Sequence, residues 1–399
     1  MPTPLDWGAQ ALCQQLLPLL PGLSVEVLAT CTSTNILLLE RARSCSQTGN
    51  WQTGPTPTDP APGRRATDTL PCLLVAEHQS QGRGRQGKVW QSAAGASLTC
   101  SLALGLNLAD WSGLSLAVGL ALADALDPPD PNPGPGHGPQ PPASGPGRPA
   151  IGLKWPNDLL RLKAPPPGAA APTLPGHKLG GILIETVQMG AQRMAVVGVG
   201  LNILPMPGHP PAHATPPAAA LSWGYACLHD LHPGITAPAA LARVAPALVR
   251  ALLAFEREGF APLQARFAAR DVLAGRTVSA TVAGAHSGLH SGAQSGAQTH
   301  AQTGQPTAPP LSQPVGQPAR PQAGLADGVD HQGTLWLRVG DQRWPVSSGE
   351  VSLRLAAATA PVSPPGRPER HEGHEPQERQ ELQEGQEGQE GHDAEADPC

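Results

Sequence analysis

Residues 77–90 read E-H-Q-S-Q-G-R-G-R-Q-G-K-V-W, with glycines at 82, 84 and 87 interleaved with Arg83, Arg85 and Lys88. Glycine has no Cβ, so such a backbone can approach a ligand closely and turn its N–H groups toward negative oxygens, while guanidinium and ammonium groups supply formal charge. The stretch reads as an anion-holding loop, against the plainer reading of a solvated basic turn. Its flanks give the setting. Residues 72–76 form an apolar run of strand type and 97–104 resume as a second strand, so the loop joins two strands.

Toward the N-terminus, Leu5, Leu12, Leu16 and Leu19 or Leu20 fall at rough helical spacing, closed by Pro18 and Pro21. Residues 24–28 alternate as a strand and deliver Cys31-Thr32-Ser33-Thr34-Asn35, ahead of a helix over 36–43 that Ser33, Thr34 or Asn35 can cap. Toward the C-terminus, 114–126 predicts a buried helix, and 151–160 reads I-G-L-K-W-P-N-D-L-L. Pro156 stops that strand, and Asn157-Asp158 begins a turn. Lys154 lies just before the break and either snorkels to the surface or is held at a site. Residues 178–185 (K-L-G-G-I-L-I-E) and 195–203 (A-V-V-G-V-G-L-N-I) predict two more strands. Asn202, the polar side chain in the second, must bond backbone or meet a ligand. Leu241, Val244, Leu248, Leu252 and Phe255 follow a helix with a kink or restart at Pro246, and 262–270 continues in helical style. Short strands over 278–282, 334–339, 343–346 and toward Arg354 predict a small barrel.

The chain has 48 Pro and 46 Gly in 399 residues, so much of it cannot be packed core. Low-complexity stretches fall at 46–70, 127–150, 164–177, 284–322 and 359–399, leaving enough for one medium catalytic domain and a small appendage. The formal charge of −5 is dominated by residues 367–399, whose eleven acids and three arginines carry −8, so the rest is near +3. That suits an anionic small ligand or an acidic protein partner and is too weak to argue for nucleic acid. Seven scattered cysteines without C-x-x-C read as reduced thiols in a cytoplasmic protein. The first basic residue is Arg41, which leaves no positive n-region for a signal peptide, and no apolar run approaches a membrane span.

Six ordered motifs, T-S-T-N, the 77–90 loop, K-W-P-N-D, K-L-G-G-I-L-I-E, G-V-G-L-N and G-E-V-S-L-R, together resemble the biotin protein ligases. The resemblance implies an α+β fold of the class II synthetase and biotin ligase type, a mixed sheet with helices followed by a small SH3-like β-barrel. It implies a helical lead-in over 1–22, a catalytic domain over 23–272 carrying the insertions, a C-terminal domain over 273–358 and an acidic tail beyond. Two steps are expected: biotin and Mg-ATP give biotinyl-5′-AMP and pyrophosphate, and a lysine of a biotin carboxyl carrier protein then takes the biotinyl group. The cofactor set is biotin as substrate, ATP and Mg²⁺, with no metal site of the protein's own, no nucleic acid, no membrane, and a monomer or weak homodimer.

Carried over by motif, Ser33, Thr34, Asn35 and Gln79 line the biotin ureido site, and Gly82, Arg83, Gly84 and Arg85 wrap its carboxylate and the α-phosphate. Gly181 lets backbone approach biotin. Arg85, Lys154 and Lys178 carry the catalytic roles, with Lys178 at the biotin carboxylate. Trp90, Asn157, Asn202 and Arg354 join Arg85 and Lys154 at the adenylate. Two positions depart from the usual G-R-G-R-R-G-R loop: Gln86 removes a charge and Lys88 replaces an arginine fork with a point charge. About thirty N-terminal residues leave no room for the DNA-binding module of repressor-ligases. A P-loop reading of 82–88 fails at Val89, where Ser or Thr is needed for Mg²⁺. A lipoate ligase of the same fold and a non-catalytic biotin-responsive regulator are the remaining alternatives.

Overall fold

The computed structural model describes residues 5–47, 71–129, 149–163, 176–189, 192–206, 224–282, 323–346 and 351–355; the side chains of 45–47, 280–282 and 351–355 fall outside the description. Most of the expected insertions and the whole of 359–399 lie outside the described residues.

Seven strands form a mixed sheet: β1 Ser24–Cys31, β2 Cys72–Gln79, β3 Ser97–Leu106, β4 Ile151–Lys154, β5 Asp158–Leu162, β6 Gly176–Met189 and β7 Gln192–Asn202. Their order is β1-β2-β3-β7-β6-β5-β4; β1 and β2 run parallel and every other neighbouring pair antiparallel. Among the described residues the α-helices are α1 Ala9–Leu16, α2 Thr34–Gln47, α3 Leu114–Leu126, α4 Ala237–Glu258 and α5 Gln264–Ala268.

Alternation along the central strands sorts the side chains between two unlike faces. Leu98, Cys100 and Leu102 of β3 and Val197, Val199 and Leu201 of β7 join a large apolar core with α3 and α4. On the other face, Cys72, Leu74, Ala103, Met194 and Val196 pack with Leu38, Leu39 and Ala42 of α2. Around the N-terminus of α2, that face carries Thr99, Ser101, Gly198 and Gly200 in place of aliphatic residues. The half of the sheet left polar is where a ligand can lie.

Helix α4 starts at Thr236, whose Oγ1 accepts from the N–H of Ala239 at 3.3 Å, and stops at Gly259 with φ 67°. Pro246 does not restart it, and the helix runs unbroken through 22 residues with the proline inside. The reason is packing: Leu241, Val244, Leu248, Leu252 and Phe255 are all buried, each apolar side chain contributing about 1.5–3 kcal/mol. Contrary to the sequence reading, α4 is long and apolar enough to cross a membrane by length and composition; half of its most apolar stretch is buried within the protein.

Two strands escape the sequence pattern. Asp158–Leu162 pairs with Ile151–Lys154 as a hairpin, so Asp158 opens a strand and the turn is Trp155-Pro156-Asn157. Ala323–Val329 is rich in Ala and Gly and lacks the β-branched signature. Strand β6 also begins at Gly176, within the stretch assigned to an insertion, because Gly176 and His177 pair with Leu162 and Arg161. The insertion at 127–150 is anchored at both ends: Asp127 accepts from the N–H groups of Ala150 and Ile151, and buried Arg270 bonds Asp124, Asp127 and the carbonyl of Ile151.

A second sheet comprises β8 Thr277–Val282, β9 Ala323–Val329, β10 Leu335–Val339, β11 Gln342–Val346 and β12 Val351–Leu355, in the order β11-β10-β9-β8-β12. It is open, with β11 and β12 at its edges, where the sequence reading expects a closed barrel. It meets the first sheet where Trp155 Nε1 donates to the carbonyl of Gly333 at 3.1 Å and Gln264 donates to that of Val329 at 2.8 Å.

Candidate active site

The two glycines of G-V-G-L-N, two residues apart, point to the same face of the sheet, and each makes room for one side chain. A Cβ on Gly198 would sit 2.3 Å from Asn35 Oδ1, and one on Gly200 would sit 2.5 Å from the Trp90 ring. Only glycine at both positions lets α2 and the 77–90 loop lay polar groups on the sheet.

At the Asn35 end the groups are neutral or nearly so. Asn35 Nδ2 donates to Glu185 Oε2 at 2.9 Å and to the carbonyl of Leu183 at 3.2 Å, while its Oδ1 accepts from Ser101 at 2.6 Å. Thr34 Oγ1 lies 2.6 Å from Ser101 Oγ and 3.2 Å from Gln79 Oε1, which accepts from the Thr34 N–H at 2.7 Å. Ser33, Thr34, Asn35, Gln79 and Ser101 are buried. Side chains that would have served only as a helix cap thus turn inward and form a network.

The loop closes beside this network. Its ends are tied by the N–H of Gln81 to the carbonyl of Thr32 and of Trp90 to that of Gly82, each at 2.9 Å. Arg83 and Val89 form a bridge, Gly84 N–H donates to the Lys88 carbonyl at 2.7 Å, and a single tight turn spans Arg85–Gly87, with Gln86 at φ 55°. Arg85 reaches across to Asn157 Oδ1 at 3.2 Å, and Asn157 is fixed in turn by donating to the carbonyl of Ile182 at 2.7 Å.

The far end is charged. Asp158 accepts from Lys178 Nζ at 2.7 Å and lies 3.4 Å from Lys154 Nζ. Burial holds the Lys154 ammonium below its usual range, with Asp158 opposing and Lys178 adding to the effect. Burial alone would raise Asp158, and the two lysines bring it below the usual carboxylate range. Arg85 is lowered by burial, against the pull of Asp158, and remains a cation. Three cations against one carboxylate leave an excess of positive charge.

These two ends bound one cavity of about 180 Å³. Its walls include Ser33, Thr34, Asn35, Gln79, Arg83, Gly84, Arg85, Trp90, Lys154, Asn157, Lys178 and Gly181. Gln86 and Lys88, the two departures from the usual loop, line it as well. A larger space of about 710 Å³ adjoins on the side of the second sheet and shares Arg85 and Gln86. The smaller cavity holds the charges and the hydrogen-bonding network, so it is the candidate site.

Residues 68–202 match the biotin/lipoate A/B protein ligase family. The chain is 35% identical over 162 residues to the biotin–[acetyl-CoA-carboxylase] ligase of Mycobacterium tuberculosis, a match covering 39% of this chain and 48% of that protein. It is 27% identical over 268 residues to the bifunctional ligase/repressor BirA of Escherichia coli, covering 66% of this chain and 64% of that protein. With the biotin–[acetyl-CoA-carboxylase] ligase of Paracoccus denitrificans it shares 32% identity over 210 residues, 52% of this chain and 73% of that protein. This chain belongs to the biotin protein ligase family. Its match spans about half the length of the Mycobacterium tuberculosis biotin ligase. Among solved structures, the match to the biotin protein ligase of Aquifex aeolicus in complex with biotin and ATP covers 84% of this chain and 100% of that one, at 18% identity and a TM-score of 0.46.

Within this biotin ligase family member, three expected site residues stand apart from the rest. Gly82 is buried beneath the loop, bonded to Trp90 through its carbonyl. Asn202 does not line the cavity; its Nδ2 bonds the backbone carbonyls of Lys178 and Ala226 at 3.2 and 3.0 Å and pins β7 to the chain beside β6. The backbone of Arg354 lies in β12, and its side chain is outside the described residues. The sequence reading missed Asp158, Ser101, Glu185 and the pairing of Gly198 with Gly200. Asp158 stands in the K-W-P-N-D motif itself, one residue beyond Asn157. Ser101 and Glu185 carry no local signal, since their partners are 66 and 150 residues away.

Proposed function

We propose that this protein activates biotin with Mg-ATP as biotinyl-5′-AMP and then transfers the biotinyl group to a lysine of a biotin carboxyl carrier protein. The observation that carries this reading is the pairing, in one cavity, of a neutral hydrogen-bonding end with a cationic end. A ureido ring, with two N–H donors and a carbonyl, matches Thr34, Asn35 and Gln79 with Ser33. A carboxylate attacking the α-phosphate develops charge that Arg85, Lys154 and Lys178 are positioned to offset. Gly84 and Gly181 bring backbone to the same wall, and Arg83 adds charge at the loop.

Trp90 would meet the nucleotide, with Asn157 holding Arg85 in place. The Trp90 Nε1 is buried without a hydrogen-bond partner among the described residues, so it has a donor to offer. Asp158 is already held by two lysines, and we take Mg²⁺ to arrive on the phosphates of ATP. The second sheet is read as the SH3-like module of the family, and Arg354 is assigned to the adenylate by its motif. The five described cysteines are unpaired, which suits the cytoplasm.

The test is pyrophosphate release from Mg-ATP with biotin, followed by labelling of an apo carrier domain. Biotin-dependent release and a labelled lysine are expected, with Arg85→Ala slower by about 10²–10³-fold. Release driven by lipoate and not by biotin would move the protein to the lipoate branch; binding of biotin without release would make it a non-catalytic sensor.

A further inference from the structure

The hydrogen bonds around Thr34 fix which way its proton points. Asn35 Nδ2 faces two acceptors, the Glu185 carboxylate at 2.9 Å and the Leu183 carbonyl at 3.2 Å, so its amide has one orientation and Oδ1 faces Ser101. Ser101 has a single hydroxyl proton, and at 2.6 Å it goes to Asn35 Oδ1. The 2.6 Å contact between Ser101 Oγ and Thr34 Oγ1 is then made with the proton of Thr34. Gln79 Oε1, 3.2 Å from Thr34 Oγ1, is a second acceptor for that proton, so with either partner Thr34 Oγ1, on the cavity wall, has no proton to offer a ligand and has lone pairs to receive one.

We infer that Ser101 is a positioning residue for substrate specificity: through a one-way relay from Thr34 to Ser101 to Asn35 to Glu185 it makes Thr34 an obligate acceptor for a ligand N–H. Ser101 itself does not line the cavity and is fully buried on β3, opposite Gly198 of β7. It touches two wall residues, Thr34 and Asn35, and it is at Thr34 that it sets the acceptor role. The inference rests on the biotin reading, where the ureido ring supplies the N–H. A ligand with an oxygen at that place would set lone pair against lone pair inside a buried site, where an unmet hydrogen bond is strongly discriminated against.

The experiment measures dissociation constants of the full chain for biotin and for the two cyclic carbamate analogues in which one ureido N–H is replaced by oxygen. The wild type is expected to disfavour one carbamate by about 100-fold or more. In Ser101→Ala the Thr34 proton loses its 2.6 Å acceptor and keeps only the longer contact to Gln79 Oε1 at 3.2 Å, which a carbamate oxygen can outcompete, so that ratio should fall to about 10-fold or less while biotin binds more weakly. Ser101→Cys keeps the packing and weakens the donor, and should lower the ratio in the same direction. A biotin-to-carbamate ratio unchanged in both variants, whatever happens to their melting temperatures, overturns the relay and leaves the biotin reading standing. A wild type that binds biotin and both carbamates alike overturns it too. A wild type that binds no biotin removes the proposed function and the relay with it.

Discussion

At the Thr34 end of the cavity, hydroxyls and amides meet one another and a single carboxylate, Glu185; at the Asp158 end, Lys154, Lys178 and Arg85 gather around one carboxylate. The first arrangement is mostly neutral, its one carboxylate bonded to Asn35, and its directional hydrogen bonds can tell one neutral ring from another. The second has charge with little directional detail and can stabilise any anion placed there. Selectivity and chemistry are thereby assigned to separate walls, and changes in one should be separable from changes in the other.

The sharpest way to break that division is Asp158→Asn. It removes the carboxylate that opposes the burial of Lys154, so the Lys154 pKa falls further and its charge is lost at lower pH. Breaking a buried pair costs about 3–5 kcal/mol, and adenylate formation should drop by about 100-fold or more. The alkaline limb of the rate profile should also move to lower pH, while the dissociation constant for biotin alone changes little. An unshifted limb would show that Asp158 does not support Lys154.

A smaller effect sharpens the comparison from the glycine pair. Gly198→Ala collides with Asn35, and Gly200→Ala collides with the ring of Trp90. The first should raise KM for biotin and the second KM for ATP, each by about 10-fold or more, as expected when a binding group is displaced. Equal effects on both substrates in both variants would mean that the two ends are not independent.

The smallest effect on the cavity itself comes from outside both ends. Burial raises the Asp271 carboxyl from 3.8 to about 6, its bond from the Leu273 N–H only partly offsetting this, and although part of the residue is accessible, its Oδ2 is buried without a partner among the described residues. A folded pKa above the unfolded one means that the stability it contributes is full below pH 3.8 and is lost as pH rises through about 6. Asp271→Asn does not titrate, so its stability relative to the wild type should improve between about pH 4 and about pH 8, by on the order of 2–3 kcal/mol. Thermal melts across that range read it, and both KM values should stay put. A pH-independent difference in melting would mean that Asp271 is not buried as a charge.

Much of this was legible before any coordinates. Strands β2, β3 and β7 and helix α3 announce themselves through long apolar runs, and the loop at 77–90 stands out because basic glycine-rich sequence between strands has few other uses. What stayed hidden depends on partners distant in sequence. Asn202 looks like a ligand contact because a lone Asn in an apolar strand needs a partner, and sequence cannot show that the backbone of Lys178 and Ala226 provides it. Pro246 looks like a break because propensity is local, whereas the buried face of α4 is not. Strand β9 is composed of residues that rarely form strands, and only its neighbours β8 and β10 hold it in one.

The wiring of the two ends also differs in time. Lys154 and Lys178 lie 4 and 20 residues from Asp158, within reach of a hairpin and the strand after it. Thr34 must find Gln79 and Ser101 at separations of 45 and 67, and Asn35 must find Glu185 at 150. Closing longer stretches of chain carries the larger entropic cost, so contacts of short span form first as a polypeptide collapses. A folding molecule of this protein therefore brings Lys154 and Lys178 to Asp158 before Arg85 and the selective network arrive, and those two lysines are attractive to anions at large until α2, β3 and β6 have met.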